Sequence, residues 1–184
     1  MKNLTTENLI LLSPNKNFAQ PLLDYYVRNK DFFERFDPIR EDGFYSVENM
    51  TKILETEIAA ENEKKGYRFY VFSKKNPDKI IGFVGLNNIV YGCFLSCFIS
   101  YKLDKDCLNR GFMTEAVKKV VDYAFTELKL HRIEGNVLPD NVSSLKVLDK
   151  NGFKYEGVSE KYLKINGVWR DHIHMVKLNP KAEL

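Results

Sequence analysis

From Thr114 to Leu130 the apolar residues Val117, Val120, Val121, Ala124, Phe125 and Leu128 follow one another at steps of 3, 1, 3, 1 and 3. That spacing keeps them on one face of an α-helix. Glu115 and Lys119 add a favourable i,i+4 pair. A helix with one apolar face must bury it against another layer, and the preceding residues supply one. Arg68 to Ser73, Lys79 to Val90 and Phe94 to Leu103 are rich in the aromatic and β-branched residues of strands. Asn76-Pro77-Asp78 marks a turn between the first two, and Tyr91-Gly92 joins the last two. The pattern is an antiparallel meander that feeds a long helix.

The remaining segments fit around this centre. Leu9-Ile10-Leu11-Leu12, ended by Ser13-Pro14, reads as a first strand. Residues from about 17 to 35 read as a helix, with Phe18, Leu22, Tyr25 and Tyr26 at helical spacing. Phe36-Asp37-Pro38 ends it, since the residue before proline avoids the helical region. Asp42-Gly43 marks a turn, and Ser46 is the candidate N-cap of a second helix running to about Glu63, with Met50, Ile53, Leu54 and Ile58 on one face. Beyond the central helix, His131 to Leu138 is a strand closed by Pro139, and Asn141 to Lys150 is a short helix stopped by Gly152. Gly157 to Ile165 and Val168 to Leu178 form a hairpin about Asn166-Gly167. The expected fold is α/β: one mixed, mostly antiparallel sheet of about seven strands with helices on its faces.

With 184 residues, 44% of them hydrophobic and 29% charged, the chain is expected to form a single domain over residues 1–184 and not to be disordered. A net charge of +3 is too small to argue for direct nucleic-acid binding. No apolar run reaches the roughly 18 residues of a membrane span, and the first seven residues hold no signal-peptide core. Cys93, Cys97 and Cys107 contain no CxxC pair, so no disulfide framework or metal site is expected, and the cytoplasm is the expected compartment.

Chemistry concentrates at residues 103–114. Leu103 ends a strand, Asp104 to Arg110 is polar, and Gly111-Phe112-Met113-Thr114 opens the central helix. A helix start offers unpaired N–H groups and a positive dipole end, which together suit a phosphate. Glycine lets the backbone approach a ligand, and Arg110 adds charge. A strand-to-helix turn also carries a glycine for structural reasons alone. Neither GxxxxGK[ST] nor GxGxxG is present.

These residues carry a resemblance. Ser100-Tyr101-Lys102-Leu103-Asp104 followed by Asn109-Arg110-Gly111-Phe112-Met113-Thr114-Glu115-Ala116 resembles the acyl-CoA motif, Q/R-x-x-G-x-G/A, of the GNAT superfamily of N-acetyltransferases. Leu130-His131-Arg132-Ile133-Glu134, Pro139-Asp140-Asn141-Val142-Ser143-Ser144, Asn151-Gly152-Phe153 and Glu156-Gly157 are similar to the family's second half. The run from Tyr162 to His172, the stretch Asn29-Lys30-Asp31-Phe32-Phe33 with Phe36-Asp37-Pro38 and Arg40, and Asn88-Ile89-Val90-Tyr91-Gly92 resemble its ribosomal-protein alanine N-acetyltransferase branch. The resemblance implies a single GNAT domain, with an acyl-CoA-binding core over about 79–157 and a splay between central strands. It implies acetyl-CoA as donor, a primary amine as acceptor, and direct attack without an acyl-enzyme. Main-chain amides of Asn109, Arg110, Gly111, Phe112, Met113 and Thr114 would hold the pyrophosphate. Lys102 and Leu103 would pair with the pantetheine amides, Asn141 would contact the pantetheine arm, and Ser144 would protonate the departing thiolate. The acceptor would be a protein N-terminus, such as that of a ribosomal protein. A small amine (a polyamine or an aminoglycoside) and a non-catalytic CoA-binding module stand as rivals, and a homodimer is left open.

The chain departs from the pattern at four positions. Leu108 replaces the opening Gln/Arg, Asn109 a common glycine, and Met113 the Gly/Ala. Phe98 stands where many relatives carry a glutamate. Glu134, which shares a strand face with Asn136, is then the candidate base, although a strand glutamate also serves as a plain ion-pair partner. By position alone Asn141 reads equally as an N-cap and Ser144 as a helix-start residue. His172 and His174 share a strand face without a third metal ligand, Trp169 reads as core or rim packing, and nothing beside Cys107 activates a thiolate.

Overall fold

The computed structural model describes residues 2–34, 37–41 and 43–182. Its strands are β1 (Asn3–Thr5), β2 (Leu9–Leu12), β3 (Tyr67–Ser73), β4 (Asn76–Val90), β5 (Ser96–Leu103), β6 (Arg132–Val137), β7 (Lys154–Ile165) and β8 (Val168–Leu178). Its α-helices are α1 (Ala19–Arg28), α2 (Lys30–Phe33), α3 (Val47–Asn62), α4 (Phe112–Thr126) and α5 (Val142–Lys150). The strands form one sheet in the order β1-β2-β3-β4-β5-β6-β8-β7, antiparallel throughout except between β5 and β6. This is the mixed, mostly antiparallel α/β architecture expected from the sequence, with helices on both faces of the sheet.

Both faces of the sheet are covered, so the central strands are apolar on both sides. Along β3, Phe69 and Val71 join the core beneath α4 and α5, while Tyr70 and Phe72 join the core beneath α1 to α3. The stripe read from the sequence is the inner face of α4: Val117, Val120 and Ala124 are fully buried and Val121 nearly so. Burying an aliphatic side chain of this kind stabilises the fold by about 1.5–3 kcal/mol. Leu22 and Tyr25 of α1 and Met50 and Leu54 of α3 do the same on the opposite face.

Several expectations need adjustment. The sheet has eight strands, because Asn3–Thr5 pairs with β2. The first helix is a 3-10 turn (Lys16–Phe18), α1 and α2, broken at Asn29. The Asn29 amide donates to the Tyr25 carbonyl and accepts from the Lys105 N–H, each at 2.9 Å. This side chain takes the bonds that would continue the helix. The β3–β4 turn falls on Lys74 and Lys75, and Asn76 already pairs with Ser73. Helix α4 starts at Phe112 and ends at Thr126, and Lys129 turns the chain at φ 55°. Phe36 and Asp42, named in the expected helix break and turn, lie outside the described residues.

Strands β5 and β6 run parallel and pair only at Ser96–Arg132, Cys97–Ile133 and Phe98–Glu134. Beyond that point they separate, although β5 continues to Leu103 and β6 to Val137. Two features sit where they part. On one side, β4 carries a bulge after Asn87, with Asn88 at φ 50°, opposite β5 residues 96–98. On the other, Gly135 leaves space for α5: a Cβ there would lie 2.7 Å from Leu148 Cδ1 and 3.5 Å from Ile99 Cγ2. Bulges recur beside active sites because they re-aim a strand.

Candidate active site

The loop from β5 to α4 is held from below. Asp104 is fully buried, pairs with Arg28 Nε at 2.6 Å and accepts from the Asp106 N–H at 3.0 Å. Burial alone would raise its carboxyl pKa, but Arg28, the Asp106 amide and Lys79 outweigh burial and hold it below the usual range. Asn109 and Gly111 both adopt left-handed backbone, at φ 58° and 77°. Asparagine is the side-chain-bearing residue that tolerates this conformation best, so Asn109 keeps the path a glycine would take.

Gly111 is the N-cap of α4 without a side-chain cap, and the first helical bond runs from the Glu115 N–H to the Gly111 carbonyl at 3.0 Å. The N–H groups of Phe112, Met113 and Thr114 precede that bond and point toward the helix start. A Cβ at Gly111 would meet nothing within 4 Å, so the space above is open. Phe112 packs against the core and Met113 is buried in it, so each offers this loop its amide only. Arg110 and Leu108 are exposed. The geometry suits an anion with little side-chain help.

The splay provides the second part of the site. Lys102 and Leu103 lie beyond the last β5–β6 pair, so the β5 edge there has no strand partner on that side. The Lys102 side chain turns away to pair with Asp37, which Arg40 also meets at 3.0 Å. Burial pulls the Lys102 ammonium pKa down, and Asp37 restores part of it. Leu103 packs on the core.

Across the splay, Asn141 caps α5: its Oδ1 accepts from the Ser144 N–H at 3.2 Å and from Ser143 Oγ at 2.9 Å. Ser144 Oγ lies 2.9 Å from the Tyr101 hydroxyl, which also donates to the Ser144 carbonyl at 3.0 Å. Burial pushes the Tyr101 phenol well up, despite the Ser144 bond, so it stays protonated. Tyr101 was not singled out by its sequence position. The available signal was strand alternation, which puts it on the Ile99 face, toward α5.

The opposite face of the splay is polar. Glu134 accepts from Arg132 Nε at 2.8 Å, and the same guanidinium grips Glu156 through two bonds of 2.8 and 2.6 Å. Asn136 donates to the Tyr162 hydroxyl at 3.1 Å. Tyr162 also packs against the rings of His172 and His174. Farther back, Arg68 bridges Glu57 at 3.0 Å and Ser100 at 3.3 Å. His172 is buried with Nδ1 3.1 Å from the Arg170 carbonyl. Cys107 is buried and its thiol is pushed up by desolvation, away from reactivity. Trp169 is 56% exposed on the β7–β8 hairpin and lies outside the core. Among the described residues no cluster of three His, Cys, Asp or Glu side chains could hold a metal, and no helix is long and apolar enough to cross a membrane.

The site is thus an uncapped helix start beside a splayed parallel strand pair, with a serine across the gap. The family model described as acetyltransferase (GNAT) domain matches residues 8–154. The chain is 48% identical to a probable N-acetyltransferase, YjcK, of Bacillus subtilis, over 90% of this chain and 91% of that one. It is 33% identical to the [ribosomal protein uS5]-alanine N-acetyltransferase of Escherichia coli, over 92% of this chain and 87% of that one. The solved ribosomal-protein-S5-alanine acetyltransferase of Vibrio fischeri superposes with a TM-score of 0.92 at 31% identity, covering 98% of both chains. Fold, loop and whole-length likeness agree, and the chain belongs to the GNAT family as an acetyl-CoA-dependent N-acetyltransferase.

Proposed function

We propose that this acetyltransferase modifies the N-terminal α-amine of a protein, with a ribosomal protein as the acceptor class. The observation that carries this reading is the likeness to the alanine acetyltransferases from end to end, including the strands that flank the splay. Phe98 supports it chemically. With an aromatic ring at that β5 position, no carboxylate stands there to strip a strongly basic amine.

In this reading the amides from Asn109 to Thr114 hold the pyrophosphate of acetyl-CoA, using the open, uncapped start of α4. The unpaired β5 edge at Lys102 and Leu103 meets the pantetheine amides. Asn141 has its Oδ1 committed to capping, so it contacts the pantetheine through Nδ2. The amine attacks the thioester carbon directly and sheds its surplus proton on the acceptor side, the C–S bond breaks with its electron pair leaving on sulfur, and Ser144 gives its proton to the thiolate and regains one from solvent. Glu134 lines the acceptor side while tied to Arg132.

The test is thiol release from acetyl-CoA over peptides with free N-terminal alanine or serine, spermidine and an aminoglycoside. The alanine or serine peptides should be turned over fastest, with the acetyl group on the α-nitrogen by mass spectrometry. Faster turnover of either small amine would overturn the acceptor assignment, and no turnover of any amine would favour a CoA-binding module.

A further inference from the structure

On the β6–β8–β7 part of the sheet, three side chains meet that the acetyl-CoA contacts do not use. Asn136 and His174 are directly opposed across β6 and β8. Cβ atoms of such a pair lie about 4.5–5.5 Å apart, so both head groups can converge on one atom. Asn136 spends its Nδ2–H on Tyr162, whose ring stands edge-on to the His174 ring with centroids 4.9 Å apart. Two polar atoms remain, Asn136 Oδ1 and His174 Nε2, both shut off from solvent and neither hydrogen-bonded. A buried polar atom left without a partner is unfavourable, because it has given up its bonds to water and gained none in return. Two of them on one cross-strand pair mark a place whose hydrogen-bond partner arrives with a ligand.

The cover over this pair is Tyr162. The β7–β8 register jumps from Ser159–His172 to Leu163–Arg170, which leaves Tyr162 in a bulge outside the paired positions. Lys161 sits there at φ 48°, with its N–H held by Asp171 Oδ1 at 2.7 Å. The Tyr162 ring can therefore move without breaking the strand pairing. Position decides which ligand fits. Asn136 lies two residues past Glu134, the last β6 residue paired to β5, and so faces the opened splay on the side away from α4 and α5.

We propose that Asn136 and His174 form the acceptor-amine site. Asn136 Oδ1 and Nε2 of His174 receive the two N–H bonds of the primary amine once Tyr162 moves aside. When the amine nitrogen bonds to the acetyl carbon, His174 Nε2 takes one amine proton and the C–S electron pair leaves with the sulfur. The tautomer this requires carries its own proton on Nδ1. Glu134 is the less suitable proton acceptor, being held by Arg132 where β5 and β6 are still paired.

The assignment rests on acetyl transfer to a primary amine. The probes are acetyl-CoA with a free N-terminal alanine peptide and, in parallel, spermidine. If the wild type acetylates spermidine and not the peptide, the α-amine reading fails and the variants are read on spermidine. Asn136→Leu should raise KM for the amine about tenfold, the loss of one hydrogen bond. His174→Gln should lower kcat by at least about 10²-fold. Both should bind acetyl-CoA with wild-type affinity by calorimetry. Added imidazole should restore turnover to His174→Ala. On the unmutated enzyme with CoA present, the His174 ring resonances should shift when the acetylated amine is added, a readout that needs no variant to fold. Wild-type kcat in His174→Gln, no recovery with imidazole, no shift of the His174 resonances, or a larger kcat loss in Glu134→Gln would each overturn the assignment.

Discussion

At the scale of a residue, Ser144 is placed for two different tasks, and one atom separates them. Its main-chain N–H belongs to the α5 cap, while its Oγ meets the Tyr101 hydroxyl beside the unpaired β5 edge. Ser144→Ala keeps the first and deletes the second. A positioned proton donor is worth about 10²–10⁴-fold in rate, so kcat should fall by that order while acetyl-CoA affinity holds. An unchanged kcat would leave Ser144 with the cap alone. Gly111 and Arg110 separate main-chain from side-chain binding in the same way. Gly111→Val forces a β-branched residue into φ 77° and puts methyl groups into the open space above the helix start, so acetyl-CoA binding should nearly vanish. Arg110→Ala removes only an exposed charge and should weaken binding modestly, by about tenfold or less. Calorimetry showing equal losses would contradict the main-chain account. Ser144 and Gly111 were legible because the motif spacing brings them out. Tyr101 and Tyr162 were not, because a tyrosine in a strand carries no local mark of the partner across the sheet.

At the scale of an element, the loop that opens α4 depends on a helix far away in sequence. Arg28 at the end of α1 pairs with buried Asp104, and Asn29 accepts the Lys105 N–H. Breaking a buried pair by removing one partner costs about 3–5 kcal/mol, and Arg28 keeps some solvent contact, so Asp104→Asn should lie toward the low end. The pH dependence follows from the depressed Asp104 carboxyl. A carboxylate held below its unfolded value contributes stability that is fully present above about pH 4 and is lost as pH falls through the folded value. Thermal unfolding between pH 7 and pH 2 should show the wild type losing stability below about pH 4, with a shallower decline in Asp104→Asn. A variant parallel to the wild type would place the acid sensitivity elsewhere. Elements with their own period or turn residues were readable: α3, α4, α5 and the β7–β8 hairpin came out within a few residues of their ends. The break at Asn29 was hidden because it depends on Lys105. The splay was hidden from periodicity, since the bulge at Asn88 and the Leu148 contact at Gly135 exist only once strands and helix are assembled, and the family resemblance supplied it.

At the scale of the whole molecule, the sheet divides the reaction into two sides, and the acceptor side determines which amine can react. Helices α4 and α5 cover one face, the face of Ser144 and the helix start, while Phe98, Glu134, Asn136 and His174 lie toward the other. Among the described residues no free carboxylate stands where the strands part, because Phe98 occupies the β5 position and Glu134 is bound to Arg132. The attacking amine must be neutral. An α-amine has a reference pKa of about 7.7–8.0 against about 10.4 for a lysine side chain. At pH 7, deprotonation therefore costs about 1 kcal/mol for the α-amine and about 4.6 kcal/mol for lysine. The neutral fraction differs by about 230–420-fold, and the greater intrinsic reactivity of lysine gives back only part of it. A peptide with free N-terminal alanine should thus be acetylated at least about tenfold faster at pH 7 than the same peptide with a blocked N-terminus and one lysine. Raising the pH to 9 increases neutral lysine by about a hundredfold, while the α-amine is already mostly neutral by then, so the preference should narrow. A pocket that lowers the lysine pKa would behave differently, holding the two rates equal at pH 7 and keeping them equal on the way up. Rates measured on both peptides across that range distinguish the two cases, and equal or faster acetylation of the blocked lysine peptide at pH 7 would refute the α-amine reading.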